Sequence, residues 1–145
     1  MPSLRIDIDE ALALAADLQQ WAEALAVGLE AATRAAAADT LAQARHAILS
    51  GPRSGRAYRL RGRDHRASAP GEPPASITGR LAQSLEVIDD GDALLVASEV
   101  DYALYLERGT ATMAPRPFLG PAAEAAEAGF AAAVAAVVDA GLAAS

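Results

Sequence analysis

Apolar side chains recur at helical spacing through the first third of the chain. The stripe consists of Leu14, Leu18, Trp21, Leu25 and Leu29, and it resumes at Leu41, Ala44 and Ile48. Intervals of three and four residues place these side chains on one face of a helix. The pattern predicts a helix from about residue 10 to Leu49, capped by Asp9. Unbroken, this helix would be about 60 Å long, so we expect a bend or break at Gly28 or at Asp39–Thr40.

Two segments alternate between apolar and polar residues, which is the period of a half-buried strand. Leu4, Ile6 and Ile8 predict a short strand at the start of the chain. A second strand begins at Leu85, and residues 93–98 return beside it. Between them the chain reads Asp-Asp-Gly-Asp at residues 89–92, and an Asp-Gly pair accepts the positive φ that a tight turn requires. The sequence therefore predicts a β-hairpin here.

Glycine and proline mark a helix end and a stiff connection in the last third of the chain. Residues 102–108 predict a short helix that Gly109 ends, because glycine accepts the left-handed conformation found after many helices. Pro115 and Pro117 then bracket Arg116. Each proline fixes its own φ and favours extended backbone in the residue before it. We expect a non-helical strap that holds the helices on either side at a fixed angle.

One more turn and a final helix complete the predicted elements. Thr78 is expected to cap a single helical turn that ends at Ser84, and Pro121 suits the first turn of a helix that extends to about Leu142. The predicted packed face of that helix is Ala126, Phe130, Val134, Val137 and Gly141. Together these elements predict one α+β domain over residues 1–145, with a long N-terminal helix and a C-terminal helix packed on a small antiparallel sheet.

Composition limits the kinds of site that the chain can hold. It contains no cysteine, which excludes a disulfide framework and a thiolate metal site. The two histidines, His46 and His65, have no metal-like partner at helical or loop spacing, and no phosphate-binding glycine loop is present. We therefore expect no metal and no cofactor. Glycines and an aspartate interrupt the apolar run from Ala128 to Ala144, so we expect no membrane span.

Basic charge is concentrated in one segment of an acidic protein. Six of the twelve basic residues lie between Arg53 and Arg66, against a single acid, Asp64. The segment carries +5, which leaves −12 for the rest of a chain whose net charge is −7. It belongs to a stretch rich in glycine, proline and arginine, residues 52–77. We expect this stretch to form an extended basic loop with a hairpin around Arg61–Gly62.

Three interpretations of this loop are open. It can be a solvated, mobile segment; it can bind an acidic neighbour, such as a second copy of this chain, through guanidinium–carboxylate contacts; or it can bind DNA phosphates. We favour the second, because the acidic body offers a complementary surface. Tyr58 is the one aromatic residue of the segment, which disfavours stacking on single-stranded nucleic acid. Asp64, His65 and Ser68 are neighbours in sequence on a flexible segment, which does not predict a catalytic centre.

Two blocks of sequence resemble a known family. Residues 102–110 read Tyr-x-x-Tyr-Leu-Glu-x-Gly-Thr, and residues 113–122 read Met-x-Pro-Arg-Pro-Phe-Leu-x-Pro-Ala. A second block comprises His-Arg-Ala-Ser-Ala-Pro-Gly-Glu-Pro-Pro-Ala at residues 65–75 and Thr-Gly-Arg-Leu-x-x-Ser at residues 78–84. Both blocks resemble the tail-completion proteins of long-tailed bacteriophages, also described as head–tail joining proteins or minor tail components. The blocks stand in the family's order and cover roughly residues 58–122.

The resemblance implies a virion protein with no catalytic activity. Such a subunit is expected to form a homo-oligomeric ring, of six copies in the family, between the head connector and the tail-terminator or tail-tube proteins. It would assemble in the host cytoplasm and meet DNA only as the passing genome of a phage, prophage or gene-transfer agent. Trp21 and Phe118 are expected in the core, and Tyr102 and Tyr105 at the rim of the sheet. The expected interface residues are Arg56, Arg59, Arg61, Arg63, His65, Arg66, Tyr102, Tyr105, Glu107, Arg116 and Phe118. The alternative is a nucleic-acid-binding protein that uses Arg53–Arg66.

Overall fold

The computed structural model describes residues 8–143 and has a mixed α and β architecture. Its elements are α1 (Ile8–Ser50), β1 (Ala57–Leu60), β2 (Arg63–Arg66), α2 (Arg80–Gln83), β3 (Leu85–Asp89), β4 (Leu94–Ser98), α3 (Tyr102–Arg108) and α4 (Leu119–Ala143). The predicted α+β class, with a long N-terminal helix and a C-terminal helix, is confirmed. The strands form two separate antiparallel pairs, β1 with β2 and β3 with β4, rather than one sheet.

Helix α1 runs without interruption, so the expected break is wrong. Gly28 does not end the helix but lies against α4, where an added Cβ would stand 2.5 Å from Val137 Cγ1. The pair Asp39–Thr40 is accommodated inside the helix, because Thr40 Oγ1 donates to the backbone carbonyl four residues earlier at 2.9 Å. Both candidate break points therefore have a packing or hydrogen-bonding role within a continuous helix.

The start of α1 also differs from the prediction. Ile8, the first described residue, is helical rather than the end of a strand. Leu4 and Ile6, which complete the expected strand, lie outside the described residues. Asp9 lies within the first turn, beside Glu10, and does not cap the helix from outside. Acidic residues in this turn still suit the positive end of the helix dipole.

Helices α1 and α4 pack in antiparallel directions. Gly28 faces Val137, and Gly141, near the end of α4, faces Trp21, where an added Cβ would stand 2.5 Å from the indole Nε1. Glycine at these two positions lets the helices approach closely. Trp21 is only half-buried at this contact, so its predicted place in the core is wrong: it lies on the helix pair, away from the main cluster.

The packed face of α4 is close to the predicted one. Ala126 is buried, and Val134, Val137 and Gly141 are half-buried. Phe130 is exposed, because α4 packs mainly against α1 and a single neighbouring helix covers only a narrow stripe. By length and composition α4 is apolar enough to cross a membrane, so its polar and glycine interruptions alone do not exclude a membrane span. In this fold the helix packs along α1.

The main core lies where the last turns of α1 meet α2, β3, α3 and the start of α4. Its buried members are Ala44, Ile48, Leu81, Ala82, Leu85, Ala103, Phe118 and Ala122. Arg45 fixes α1 to this region, since its guanidinium donates to the carbonyls of Ala82 and Leu85 at 3.0 and 2.6 Å. The bulky members are few, so the fold depends on polar ties of this kind as well as on apolar burial.

The β3–β4 hairpin is confirmed at the predicted turn. Gly91 has φ 92°, and Asp90 Oδ1 accepts two backbone N–H bonds within the turn, at 3.1 and 2.7 Å. Asp89 accepts a bond from Arg34 at 3.2 Å, which ties the tip of the hairpin to α1. The aspartates of this segment therefore build the turn and its contact with the helix.

The single turn α2 is confirmed, but its cap is not the predicted one. Gly79, with φ 76°, is the residue that precedes the helix. Thr78 Oγ1 is the acceptor of a long bond, 3.4 Å, from the Arg80 N–H. Ser84 ends the turn, and its hydroxyl hydrogen-bonds to the Ser98 hydroxyl at 2.8 Å, which connects α2 to strand β4.

One carboxylate joins α3 to α4. Glu107 Oε2 accepts from the N–H groups of Phe118 and Leu119 at 2.9 and 3.0 Å, and Oε1 accepts from Gly120 at 2.8 Å. Such N–H groups have no partner inside a helix, and a negative charge suits the start of a helix. Gly109 ends α3 with φ 74°. The predicted helix stop and non-helical strap are confirmed, and Glu107 is the residue that connects the two helices.

Replacing Gly28 and Gly129 by alanine, one at a time, separates close helix packing from helix propensity. At Gly129 an added Cβ meets no heavy atom within 4 Å, so Gly129→Ala should raise the free energy of unfolding by about 0.5–1 kcal/mol. Gly28→Ala gains the same propensity, but overpacking against Val137 costs about 1–3 kcal/mol, so the free energy of unfolding should fall. Urea denaturation measures both variants. Equal stabilisation by both would contradict the close approach of α1 and α4.

Replacing Glu107 by glutamine tests the connection between α3 and α4. The amide retains one acceptor oxygen and loses the other, so at least one backbone N–H of α4 loses its partner. We expect the free energy of unfolding to fall by about 1–3 kcal/mol. Glu86→Gln makes the same charge change at an exposed position on β3 and should alter it by less than about 0.5 kcal/mol. If the Glu107 and Glu86 variants had the same urea midpoint, the role of Glu107 in binding the first N–H groups of α4 would be refuted.

Candidate functional site

The basic loop contains an ordered hairpin. Strands β1 and β2 are joined by Arg61 and Gly62, whose φ values of 50° and 78° are both positive, as in the two-residue turns that fit antiparallel strands. The hairpin predicted around these two residues is confirmed. Arg61 is the one described residue other than glycine with positive φ. This conformation is uncommon for a side chain of its kind.

Strand pairing divides the hairpin into two faces. Tyr58 pairs with His65, and Leu60 pairs with Arg63; residues directly opposite in an antiparallel pair lie on the same face. The rings of Tyr58 and His65 stack with centroids 5.8 Å apart. Alternation along each strand places Ala57, Arg59, Asp64 and Arg66 on the other face. The arginines of the hairpin therefore do not form one continuous surface.

The first face borders a cavity of about 880 Å³, which we call the arginine groove. Its walls come from the hairpin, the end of α1, the segment 74–81 and one side of α3. The residues that characterise it are Tyr58, Leu60, Arg61, Arg63, His65, Ile77, Arg80, Tyr102, Leu106 and Arg116. Apolar and aromatic surface alternates with positive charge around the cavity, so the groove suits a partner with both apolar and acidic groups.

The electrostatics of the arginine groove are one-sided. Four guanidinium groups line it, from Arg61, Arg63, Arg80 and Arg116, and no carboxylate is among its described lining residues. The Nε atom of Arg116 is buried and has no hydrogen-bond acceptor within residues 8–143. A buried donor without an acceptor is unfavourable.

The carboxylate of Glu72 holds together the two ends of the basic loop. Glu72 accepts hydrogen bonds from the Ser54 hydroxyl, from the Ser54 N–H at 3.0 Å and from the Ala69 N–H at 2.7 Å. The donated bonds, first that of the Ser54 hydroxyl and then those of the two backbone groups, hold the pKa of Glu72 below its ordinary value, and the charge of Arg116 acts in the same direction. Glu72 thus fixes both ends of the loop that carries the hairpin.

The two sequence blocks that carry the family resemblance meet at this point. The N–H of Gly71 donates to the carbonyl of Pro115 at 3.0 Å, and the N–H of Arg116 donates to the carbonyl of Leu106 at 2.7 Å. The proline-braced strap is therefore held between the basic loop and α3. Residues distant in sequence form one unit around the groove.

The predicted interface residues fall into groups. Those that line the arginine groove are Arg61, Arg63, His65, Tyr102 and Arg116. Three other arginines, Arg56, Arg59 and Arg66, are exposed but do not line it. Tyr105 is 55 % exposed and borders a second depression on the other side of α3, together with Glu99 and Asp101.

Two predicted interface residues have internal roles. Phe118 is 2 % exposed, so its assignment to an interface is wrong and its assignment to the core is confirmed: it anchors the start of α4 beneath the strap. Glu107 uses its carboxylate within the chain, on the N–H groups of α4.

Sequence reasoning missed several residues of the groove. Four further residues line it: Leu60, Ile77, Arg80 and Leu106. They lie in segments for which the sequence predicts only a loop, a single helical turn and a short helix. The spacing of Leu60 from Tyr58 and of Arg63 from His65 was an available signal, because alternate residues of a hairpin share a face. The contribution of α2 and α3 depends on tertiary packing.

Asp64, His65 and Ser68 do not form one cluster. Asp64 and His65 lie on opposite faces of β2, whereas Ser68 is buried and lines the arginine groove with His65. Within residues 8–143 no three histidine, aspartate or glutamate side chains are grouped so that they would hold a metal ion. Comparison with protein-family models, with curated proteins and with solved structures finds no significant match for this chain. The geometry of the groove and the sequence resemblance are therefore the features that bear on function.

Replacing Glu72 by glutamine tests the closure of the loop through its pH dependence. A carboxyl whose folded-state pKa is lowered stabilises the fold above its unfolded-state pKa of about 4.3, and this contribution is lost as the pH falls through the folded-state value. At pH 7, Glu72→Gln should therefore unfold at lower urea concentration than wild type. The difference in urea midpoint between wild type and Glu72→Gln should narrow below about pH 4.3 and vanish at lower pH. A difference that does not depend on pH would contradict the role of this carboxylate.

Proposed function

We propose that this protein is a structural subunit of the neck of a phage-like particle, where a homo-oligomeric ring joins the end of the tail to the head connector. Two sequence blocks resemble phage tail-completion proteins, and in the fold they meet through the hydrogen bond from the Gly71 N–H to the Pro115 carbonyl. The resemblance therefore covers one physical unit, consisting of the strap, the loop base and the walls of the groove.

The observation that carries this proposal is the arginine groove on an otherwise acidic protein. Four guanidinium groups and apolar surface line one cavity without a carboxylate among the described residues, while the chain outside Arg53–Arg66 carries −12. Guanidinium groups form bidentate contacts with carboxylates and keep their charge when partly buried. A second copy of the same acidic chain therefore presents the charge that the groove lacks. Assembly, with no catalytic step, is the function that this arrangement serves.

The conformation of Arg61 supports a binding role for the hairpin. Its φ of 50° lies in a region that asparagine, aspartate and glycine occupy at lower cost than a long side chain. Backbone strain of this kind is frequent at binding sites. Arg61 lines the groove, so the strained turn forms part of its wall.

A second candidate function is binding of single-stranded nucleic acid within the same groove. The fold brings Tyr102 of α3 into the cavity beside Tyr58 and His65 of the hairpin, and aromatic rings among arginines are the usual platform for stacked bases. The acidic remainder of the chain opposes approach of a polyanion. Fluorescence anisotropy with a labelled oligonucleotide over a salt series distinguishes this function, because phosphate binding weakens steeply with salt.

The two faces of the hairpin provide a matched test of the assembly function. Arg61→Ser with Arg63→Ser removes two charges from the groove, and Arg59→Ser with Arg66→Ser removes the same charge from the opposite face. We expect the first pair to abolish formation of tailed particles when it replaces the wild-type gene in the parent genome, and the second pair to retain it. Electron microscopy scores the particles, and circular dichroism should be unchanged for both pairs.

The outcomes of this test separate the two functions. Normal particles from the groove variant would refute the assembly role. If both variants lost particles to the same extent, particle formation would depend on the net charge of the hairpin rather than on the groove. If the groove variant loses oligonucleotide binding and still forms particles, the nucleic-acid function replaces the assembly function.

A further inference from the structure

The end of the β3–β4 hairpin is an exposed surface, which we define as residues 86–95 and call the acidic tip. Ile88 and Leu95 pair across its two strands, and their side chains are 40 % and 47 % exposed. Asp89 lies on the face toward α1, where it pairs with an arginine. Because side chains alternate along a strand, Glu86 and Ile88 lie on the face turned away from the helix. This outer face combines an apolar pair with negative charge.

No positive charge within the hairpin balances the acidic tip. The sequence contains no lysine or arginine from residue 81 to residue 107. Arg34 of α1 forms an ion pair with Asp89 at 3.2 Å, but the exposed carboxylates of Glu86 and Asp92 form no ion pair with any residue that the structure describes. These two carboxylates can therefore pair with cations of another molecule.

The acidic tip is distant from both ends of the described chain. Arg34, its contact on α1, lies about 40 Å along the helix from Ile8, whereas residues 1–7 could span about 25 Å at most even if fully extended. Near the end of α4, Gly141 packs beside Trp21, which lies about 20 Å along α1 from Arg34. The ion pairs of the tip are therefore made with described residues.

The acidic tip and the arginine groove are complementary surfaces. The groove is concave and offers Leu60, Ile77 and Leu106 beside its four guanidinium groups. The tip is the protruding end of a hairpin and offers Ile88 and Leu95 beside its carboxylates. Opposite charge orients two such surfaces, and contact between their apolar side chains removes those side chains from water.

The depression beside α3 fits the groove less well. Glu99 and Asp101 border this depression, but it is concave like the groove itself, and Arg108 offsets part of its negative charge. The tip has neither of these disadvantages.

The acidic tip cannot enter the groove of its own chain. Leu85, the first residue of β3, is held by Arg45, and Asp89, the last, is held by Arg34, so the hairpin follows α1 back toward its start. Ile48, in the opposite direction along α1, lines the groove and lies about 20 Å along the helix from Arg34. Only the tip of another copy can therefore occupy the groove.

We propose that the acidic tip of one copy docks in the arginine groove of the next copy. This inference rests on the proposed assembly function and names the surface that fills its groove. The pair Ile88 and Leu95 packs on the apolar wall, and Glu86 and Asp92 pair with guanidinium groups around it. Each copy has one tip and one groove, so copies associate head to tail, and such contacts generate a ring when the rotation between copies closes.

Cross-linking between positions 95 and 60 tests this contact directly. The chain contains no cysteine, so a single introduced thiol reports one position. Purified full-length Leu95→Cys is mixed with Leu60→Cys and treated with a short bis-maleimide, and we expect a covalent dimer whose cross-linked peptide joins positions 95 and 60. In the control, Leu18→Cys, at a position that is 56 % exposed on α1, replaces Leu95→Cys and should give no peptide joined to position 60.

Charge reversal supplies a second readout. Glu86→Arg with Asp92→Arg reverses the tip, and Arg61→Glu with Arg63→Glu reverses the groove. Sedimentation velocity should show self-association of the wild type, and each variant alone should associate at least about tenfold more weakly, because like charges then meet at the contact. An equimolar mixture of the two variants should recover association, since the reversed tip meets the reversed groove and the native tip meets the native groove.

A matched variant controls for net charge. Glu124→Arg with Glu127→Arg makes the same change in charge as the tip variant at exposed positions on α4, and it should associate like the wild type. Circular dichroism checks that all three variants remain folded. If the α4 variant associated as weakly as the tip variant, net charge rather than the tip would control association, and the proposed docking would be refuted.

The remaining outcomes distinguish this inference from the assembly function. A wild type that stays monomeric, or a tip variant that associates at wild-type strength, would overturn the docking of the tip. Absence of the 95–60 peptide, together with loss of particles in the groove-face serine variant, would also overturn it but would leave the assembly function standing with another acidic partner in the groove. If that serine variant forms normal particles, the assembly function fails independently of the cross-linking result.

Discussion

The hydrogen bonds that Glu107 accepts from three consecutive N–H groups at the start of α4 determine how the second half of the chain is arranged. They hold α4 against the end of α3 and bury Phe118 beneath the strap. The strap is then positioned for the N–H of Arg116 to donate to Leu106, with the Arg116 side chain at the groove. The half-buried carboxylate of Glu107 therefore stabilises the core and also positions one wall of the arginine groove.

The distribution of apolar residues favours the proposed assembly. Its main cluster lies at one end of α1 and has few bulky members, with Ile48 and Leu85 the largest that are fully buried. At the other end, α1 and α4 form an alanine-rich pair that no third element within residues 8–143 covers. A chain of this size leaves about a third of its unfolded surface exposed when it folds alone, and the exposed leucines would lose contact with water in the proposed association with another copy.

Local chemistry predicted much of the fold. The Asp-Gly turn of β3–β4, the glycine that ends α3, the proline strap and the Arg61–Gly62 hairpin each depend on the backbone preferences of one or two residues. The continuity of α1 was not predictable in this way, because Gly28 belongs to the helix through its contact with Val137 on α4. The groove was predicted only in part: the hairpin arginines stand out in the sequence, whereas Arg80 and Leu106 join them through tertiary packing.

The continuous helix also has a consequence for how copies would assemble in the proposed ring. A bend at Gly28 or Asp39–Thr40 would let the N-terminal half of α1 change its direction relative to the groove, and the angle between successive copies would then vary. A continuous α1 stiffened by α4 relates the two ends of the subunit by a constant rotation and translation. Closed rings require the same rotation at every contact, so the close packing that removes the break in α1 also favours a ring over an open chain of varying geometry. The length of α1 and its lack of interruption would thus both serve the constant rotation between copies that a closed ring requires.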